Sequence, residues 1–203
     1  MRNPSKYQRA NYQRANHRRA QCPHAKRQEG FTLIELATTV AIVAAIAVFA
    51  TRGASAAINA SRTSNSVASL YASLTRARSL AALGTADIVL CPSTNGTSCA
   101  GGYHWENGWI VFPALHSGSD RTADEPVLLR QPALPPKVHL ITSAGRTRLR
   151  FQPSGSNAGS NVTFTVCDGR GARAASAYAM ANNGSLRAKA VDPTSVAQAC
   201  SGL

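Results

Sequence analysis

The chain has 203 residues, and its 22 Lys and Arg against 9 Asp and Glu give a formal net charge of +13. Eight of the basic residues and one of the acidic residues lie in residues 1–30, so residues 31–203 carry only +6. A bias of this size is compatible with polyanion binding but does not by itself identify a nucleic-acid-binding protein. No Ser-His-Asp, Cys-His or paired-carboxylate arrangement is legible, so we expect no enzymatic activity, no cofactor and no metal.

Residues 1–30 form a basic, low-complexity segment. Residues 7–21 contain a five-residue repeat with arginine in every copy. Dense Lys and Arg directly before an apolar span remain cytoplasmic under the positive-inside rule. We therefore predict a solvated cytoplasmic leader, which we favour over a nucleic-acid-binding segment.

An apolar stretch follows the leader. Between Phe31 and Thr51 the one charged residue is Glu35. In a helix these 21 residues reach about 32 Å, close to the roughly 30 Å hydrocarbon core of a bilayer. A secretory signal peptide has its small-residue cleavage site after the apolar stretch, whereas here Gly30 precedes it. Cleavage at Gly30 would remove the leader and leave the apolar helix on the mature chain.

The junction between the leader and the span carries a specific motif, Gly30-Phe31-Thr32-Leu33-Ile34-Glu35-Leu36. It resembles the class III signal of type IV pilins and type II secretion pseudopilins. The resemblance implies that a prepilin peptidase cuts between Gly30 and Phe31 and that the new amine of Phe31 is N-methylated. It also implies an inner-membrane precursor that later joins a helical filament of pilins or pseudopilins.

Glu35 is an ionisable residue inside the span, which is costly and indicates a function. We expect its carboxylate to pair with the amine at Phe31 of a neighbouring filament subunit and so to set axial register. Two structural alternatives remain open. Thr32 and Glu35 fit the spacing of a helix capping box, and an interfacial Glu can also reach water.

A second, amphipathic helical segment is predicted to continue from the span. No proline occurs between Pro23 and Pro92, which leaves room for one helix from Phe31 to about Leu83, stopped by Gly84. The stripe expected to face a sheet comprises Val67, Leu70, Tyr71, Leu74, Leu80 and Ala81. The other side is expected to carry Arg62, Ser66, Ser69, Ser73 and Arg76.

Eight short β-runs follow Gly84, separated by Gly, Pro, Ser and Asn. They are Ile88–Cys91, Trp109–Phe112, Val127–Arg130, Val138–Thr142, Arg146–Phe151, Val162–Cys167, Ser176–Ala181 and Leu186–Val191. With no further helix expected, this predicts an α+β fold in which the long helix packs on an antiparallel sheet. The expected divisions are a leader at 1–30, an assembly helix at 31–51, a helix extension at 52–84 and a β-rich periplasmic domain at 85–203.

Four cysteines lie beyond the leader, which itself contains Cys22. An even number in an exported domain predicts two disulfides, and three connectivities are possible. We favour Cys91–Cys99, which closes a local loop, and Cys167–Cys200, which ties down the C-terminal tail. A metal site of Cys91, Cys99 and His104 is the alternative, but its spacing matches no common zinc pattern.

The C-terminal part contains Cys91-Pro92-Ser93, Gly108-Trp109-Ile110-Val111-Phe112, Thr163-Phe164-Thr165-Val166-Cys167-Asp168-Gly169-Arg170-Gly171 and Asn183-Gly184-Ser185-Leu186-Arg187. In this order the segments resemble the pseudopilin H/FimT group of minor pilins and pseudopilins. In the FimT-like branch a basic Gly-Arg-x-Arg element is associated with DNA binding. Here Ser185 replaces the first arginine of that element.

Basic residues of the β-region are the candidate DNA-binding side chains. Arg146, Arg148 and Arg150 alternate, so a strand would place all three on one face. The full candidate set is Arg146, Arg148, Arg150, Arg170, Arg173, Arg187 and Lys189. Phosphate contacts from such residues would be salt-sensitive and independent of sequence. A solvated basic face is the alternative.

Other conspicuous side chains are assigned structural places. We expect Trp105, Trp109, Phe112 and Phe164 in the core. We expect Asp120, Asp124 and Glu125 in a solvated loop, since they lack the spacing of a calcium loop.

Three functions are compatible with these sequence features. The first is a minor type IV pilin acting in pilus assembly and DNA capture. The second is a minor pseudopilin of the type II secretion system. The third is a plain single-pass periplasmic protein without a filament role. In each case the N-terminus is cytoplasmic and the C-terminal domain is periplasmic.

Overall fold

The computed structural model describes residues 30–116, 120–159 and 161–203. The predicted leader lies outside the described residues except for Gly30. The chain divides into two units, one extending to Ile46 and one comprising Ala47–Leu203, and each is described by itself.

The first regular element is helix α1, Leu33–Leu83. It begins two residues after the predicted start because Thr32 caps it: the Thr32 carbonyl accepts the first helical hydrogen bond, from the Leu36 N–H at 3.1 Å. It ends before Gly84, the predicted stop, whose N–H donates to the Ala81 carbonyl at 3.2 Å.

The described part of the amino-terminal unit comprises residues 30–32 and the first turns of α1. The side chains of residues 31–46 are all exposed, and Phe31 and Leu33 are 84 % and 86 % exposed. Helix α1 contains an 18-residue stretch with a mean hydropathy of 2.4, which is long and apolar enough to cross a bilayer. Such a surface is unfavourable in water, so it requires lipid or other apolar helices around it.

The second unit adds eight strands to the remainder of α1. They are β1 (Asp87–Pro92), β2 (Trp109–Ala114), β3 (Leu129–Gln131), β4 (Val138–Thr142), β5 (Leu149–Phe151), β6 (Val162–Asp168), β7 (Ser176–Met180) and β8 (Leu186–Lys189). Two four-stranded sheets form, with the orders β3-β2-β1-β5 (sheet 1) and β4-β6-β7-β8 (sheet 2). All their pairings are antiparallel. The predicted α+β fold is confirmed, with two sheets in place of one.

Strand boundaries differ from the prediction most clearly at β5. It begins at Leu149, whereas Arg146 lies in a turn in which its N–H donates to the Ser143 carbonyl at 3.2 Å. The prediction that Arg146, Arg148 and Arg150 alternate along one strand is therefore wrong. The alternation of charged and uncharged residues in 146–151 is typical of a strand, but the first residues of this segment form a turn after β4.

The main core lies between α1 and both sheets. From α1 it takes four side chains that are at most 2 % exposed, Leu70, Leu74, Ala77 and Ala81. The predicted core aromatics Trp105, Trp109, Phe112 and Phe164 are at most 1 % exposed, which confirms their burial, although Phe112 lies in a second cluster with Val89, Cys91 and Ile110.

Three residues of α1 depart from the predicted pattern. Tyr71 was expected in the apolar stripe but is 55 % exposed. Ser66 and Ser73 were expected on the polar side, yet each is 3 % exposed. Their hydroxyls donate to carbonyls one turn earlier, each at 2.8 Å, so burial leaves no unpaired donor.

The expectation of no further helix is also wrong. Helix α2, Pro193–Ala199, follows β8, and Ala172–Ala174 form one turn of 3₁₀ helix. The Asp192 side chain caps α2 by accepting from the Ser195 N–H at 2.8 Å. Pro193 fits the first helical position because it lacks an N–H.

Candidate functional site

The predicted processing junction lies directly before α1. Gly30 and Phe31 are outside the helix, and both are exposed. The Thr32 hydroxyl accepts a hydrogen bond from the Glu35 N–H at 3.2 Å, which is one half of a capping box. The helix start is thus fixed two residues after the Gly30–Phe31 bond, and the bond itself lies in an accessible, non-helical segment.

Glu35 lies in the first turn of α1, where its negative charge complements the positive end of the helix dipole. Its side chain is exposed. Within the described residues its carboxylate accepts no hydrogen bond, so the reciprocal half of the capping box is not made. The carboxylate therefore remains available for a positive group from outside the described chain.

Two threonines follow Glu35 in a segment that is otherwise apolar. The hydroxyl of Thr38 donates to the Glu35 carbonyl at 3.0 Å, and that of Thr39 donates to the Leu36 carbonyl at 2.9 Å. These bonds keep both hydroxyl groups paired within the helix. The segment thereby presents less unsatisfied polarity to a hydrocarbon environment.

Both disulfides join the pairs favoured from the sequence. Cys91 is bonded to Cys99, and Cys167 is bonded to Cys200. The first closes the loop after β1, and the second attaches the end of α2 to β6. Since the sulfurs of Cys91 and Cys99 are bonded to each other, the alternative zinc site is not formed. Across the described ranges, no cluster of three or more His, Cys, Asp or Glu side chains is arranged to hold a metal ion.

Three of the candidate DNA-binding arginines are paired with carboxylates of the same chain. The Arg148 guanidinium contacts Asp120 at 2.9 Å, that of Arg150 contacts Asp87 at 3.2 Å, and that of Arg170 contacts Asp168 at 2.7 Å. A phosphate would have to compete with these carboxylates. Their positive charge is therefore largely balanced locally.

The other four candidates, Arg146, Arg173, Arg187 and Lys189, form no ion pair within 4.0 Å in the described part of the chain. Arg187 and Lys189 lie on β8 of sheet 2, and both are exposed. Leu186 packs against the core, so the two basic side chains point to the opposite face of the strand. Arg146 follows β4 and Arg173 lies in the 3₁₀ turn, so the structure does not gather the seven candidates on one strand or one sheet face.

A buried carboxylate at the end of β6 was not singled out from the sequence. Asp168 is 1 % exposed and accepts hydrogen bonds from the hydroxyl of Thr63 in α1 and from the guanidinium and backbone N–H of Arg170. The hydrogen bonds from the Arg170 side chain are the main cause that lowers the pKa of Asp168 to about 2; burial opposes it and Thr63 reinforces it. The short spacing of Asp168 and Arg170 could have indicated their ion pair. The hydrogen bond from Thr63 could not be predicted, because Thr63 lies far away in sequence.

Glu125 was expected in a solvated loop, and that expectation is wrong. It is 2 % exposed, and its carboxylate accepts from the backbone N–H groups of Leu115 at 2.7 Å and Thr122 at 2.9 Å. Burial raises its pKa, but these backbone hydrogen bonds outweigh it and the net pKa is lowered. The carboxylate organises the chain on both sides of the loop that follows β2.

An ion pair closes the same loop at the surface. The His116 imidazole lies 2.7 Å from the Asp124 carboxylate. Their hydrogen bond raises the pKa of His116 and lowers that of Asp124 to about 2.

Comparison with protein families gives two matches. The model of a family described as "Type II transport protein GspH" matches residues 66–184. A model described as "Prokaryotic N-terminal methylation motif" matches residues 25–51. No curated protein matches the chain significantly.

Solved structures show a similar fold. A crystal structure of the Pseudomonas aeruginosa type IV minor pilin FimU is 18 % identical, covers 63 % of this chain and 88 % of that chain, and has a TM-score of 0.51. The minor pseudopilin EpsH from the type 2 secretion system of Vibrio cholerae is 16 % identical, covers 64 % and 97 % of the two chains, and has a TM-score of 0.45. The FimU likeness supports the fold described above.

Proposed function

The chain belongs to the family of the type II transport protein GspH. We propose that a prepilin peptidase converts it into a minor subunit of a type IV pilin-like filament. One observation carries the proposal. An accessible Gly30–Phe31 junction stands directly before a capped helix whose first turns are apolar and uncovered. Cleavage there removes the basic leader and leaves an apolar helix with a new amine at Phe31.

The membrane stores the subunit before assembly. The apolar segment of α1 spans the inner membrane, the leader stays in the cytoplasm and the β-rich domain is periplasmic. Proposed divisions at residues 30, 51 and 84 separate the leader, the span, the helix extension and that domain. Transfer of the apolar helix from lipid into a bundle of similar helices keeps it out of water throughout assembly.

Glu35 determines how one subunit is positioned against the next during assembly. A free amine at Phe31 would lie at the positive end of the helix dipole, where a cation is unfavourable. The unpaired Glu35 carboxylate of an adjacent subunit offers it a partner in a low-dielectric bundle, where such a pair is stronger than in water. The pair also fixes the axial position of one subunit relative to the next.

The Glu35→Gln variant tests the filament role. We expect normal cleavage at Gly30 but loss of incorporation into filaments, measured by cysteine cross-linking between subunits in cells. Thr38→Val is the matched control on the same helical turn, and it should assemble normally. Assembly of Glu35→Gln at the parental level would contradict the role proposed for Glu35, whereas absence of the parental chain from filaments would favour a plain membrane-anchored protein.

The filament could belong to a type IV pilus or to a type II secretion system. We favour a type IV pilus over a type II secretion system, because the net charge of +6 on residues 31–203 suits contact with polyanions outside the cell. Deletion of the gene should then abolish pilus-dependent surface motility and leave secretion of folded exoproteins unchanged. The opposite pair of phenotypes would assign the chain to secretion.

DNA binding is a second candidate function, and the exposed Arg187 and Lys189 on one face of β8 favour it. The full chain in detergent should retard duplex DNA at low salt, and the effect should weaken steeply as salt rises. Replacing both residues with Gln should reduce binding more than replacing the ion-paired Arg148 and Arg150. Absence of any retardation at low salt would remove this candidate.

A further inference from the structure

A groove of about 260 Å³ lies between one flank of α1 and the turn that joins β7 to β8. Helix α1 contributes Tyr71, Leu74, Thr75 and Arg78, and the turn contributes residues 184–186. The volume is below the roughly 300–1,000 Å³ of pockets that hold drug-sized ligands. It is suited instead to a side chain projecting from a larger partner.

The groove borders an open sheet edge. Strand β8 is the last strand of sheet 2 and pairs with β7 on one side only. The Ala181 N–H donates to the Ser185 carbonyl at 3.0 Å, and in an antiparallel ladder such bonded pairs recur at every second residue. Arg187 and Lys189 therefore bond to β7, whereas the N–H and C=O groups of Leu186 and Ala188 point away from the sheet.

Arg78 supplies a positioned positive charge in the groove. Its side chain passes close to two glycines: a Cβ built on Gly184 would lie 3.2 Å from Arg78 Cδ, and one built on Gly155 would lie 3.7 Å from Arg78 Nε. Both glycines have positive φ, 74° and 77°. Within residues 30–116, 120–159 and 161–203 no carboxylate pairs with Arg78. Arg78 is exposed, its Cδ and Nε lie beside these glycines, and its guanidinium lacks a counter-ion among these residues.

We propose that β8 and this groove bind an extended, acidic segment of a partner protein by strand addition. The segment becomes a fifth strand of sheet 2 and pairs with the open groups of Leu186 and Ala188. Its alternate side chains face α1 and enter the groove, where a carboxylate pairs with Arg78. Main-chain hydrogen bonds supply affinity in this mode, and the groove supplies specificity.

Charge decides which strand fits. A second copy of β8 would bring Arg187 and Lys189 of two chains close together on one face, and like charges on adjacent strands are destabilising. A nucleic acid offers phosphates to Arg78 but lacks the alternating N–H and C=O groups that the open edge requires. An acidic polypeptide satisfies both the edge and the cation.

The proposal concerns residues 71–82 and 184–188 and requires neither cleavage at Gly30 nor filament formation. A heptapeptide display library selected on the full chain in detergent micelles provides the probe. We expect enrichment of peptides that contain an Asp or Glu and that have β-branched residues at alternate positions. Binding of the most enriched peptide should weaken at least about tenfold in Arg78→Gln, as expected for loss of a charge-assisted hydrogen bond. Arg76→Gln is the matched control, because Arg76 is exposed on α1 but does not line the groove.

Amide exchange detected by NMR locates the bound peptide. The amides of Leu186 and Ala188 should become protected, while those of Arg187 and Lys189, already bonded to β7, should change little. Ala188→Pro removes one outward N–H without removing a bond to β7 and should abolish binding. Failure to enrich acidic peptides, equal losses in Arg76→Gln and Arg78→Gln, or protection away from β8 would each overturn the proposal.

Discussion

The hydroxyl of Thr63 in α1 donates a hydrogen bond to the carboxylate of Asp168 at the end of β6. Both side chains are buried, at 8 % and 1 % exposure. Arg170 completes the site, with its Nη2 2.7 Å from Asp168 Oδ2. This contact fixes the helical extension against sheet 2 by a polar group, in addition to the apolar stripe that begins one turn further on. The rotation of α1 about its own axis is thereby specified.

We predict that Thr63→Val lowers the free energy of unfolding by about 1.5–3 kcal/mol. Valine keeps the shape but removes a donor to a buried charged acceptor, and hydrogen bonds to charged groups are worth about this much. Urea unfolding followed by the fluorescence of the buried Trp105 and Trp109 measures the change. Thr75→Val, at an exposed helical position, should stay within about 0.5 kcal/mol of the parent. Equal effects of the two variants would contradict the role assigned to Thr63.

Acid should weaken the same contact over a defined pH range. The pKa of Asp168 is lowered from an ordinary 3.8 to about 2, so the unfolded chain binds a proton at a higher pH than the folded chain. Its contribution to stability is therefore complete above pH about 4 and is lost as the pH falls toward about 2. Asp168→Asn should be less stable at pH 6 and should lose less stability than the parent between these values. Parallel pH profiles for the two proteins would be incompatible with this pKa.

His116 provides a test closer to neutral pH. Its hydrogen bond to Asp124 raises the pKa of the imidazole above 6.5, so the charged pair persists at a pH where an ordinary histidine is neutral. Its stabilising effect is present below the unfolded pKa and is lost as the pH rises through the raised folded value. NMR titration of His116 in Asp124→Asn should show a lower pKa than in the parent. An unchanged titration would mean that the pair is not formed in solution.

The two disulfides should differ in their contribution to stability. They connect residues 8 and 33 positions apart, and closing loops of these lengths restricts the unfolded chain by about 2.5 and about 3.7 kcal/mol. Replacing Cys167 and Cys200 with Ser should therefore lower the unfolding free energy by about 1 kcal/mol more than replacing Cys91 and Cys99. A larger loss for the Cys91–Cys99 variant would show that the shorter loop contributes through native contacts.

The sequence was most informative where local chemistry decides structure. A proline-free run followed by Gly84 predicts the end of α1, and short β-runs separated by turn residues indicate all eight strands. It was least informative where a partner is distant in the chain. Arg148 and Arg150 were interpreted as solvated candidates for DNA binding because their partners, Asp120 and Asp87, lie far away in sequence.

Burial of polar groups was also not predictable from the pattern alone. In the sequence Glu125 and Asp168 resemble surface acids. Their burial is explained only by the N–H, hydroxyl and guanidinium donors that the fold brings to them. The short helix α2 was a different case. Asp192-Pro193 is a local start signal, but the helix has only seven residues including Pro193, too few for a hydrophobic period to be recognised.

Processing at Gly30 is tested by the intact mass of the chain, purified from cells with and without a prepilin peptidase. With the enzyme present, we predict a chain that begins at Phe31 and carries one methyl group on its amine. Without the enzyme, the chain should keep residues 1–30. An unprocessed terminus in the presence of the peptidase, or a cut beyond Thr51 that removes the apolar helix, would contradict the account.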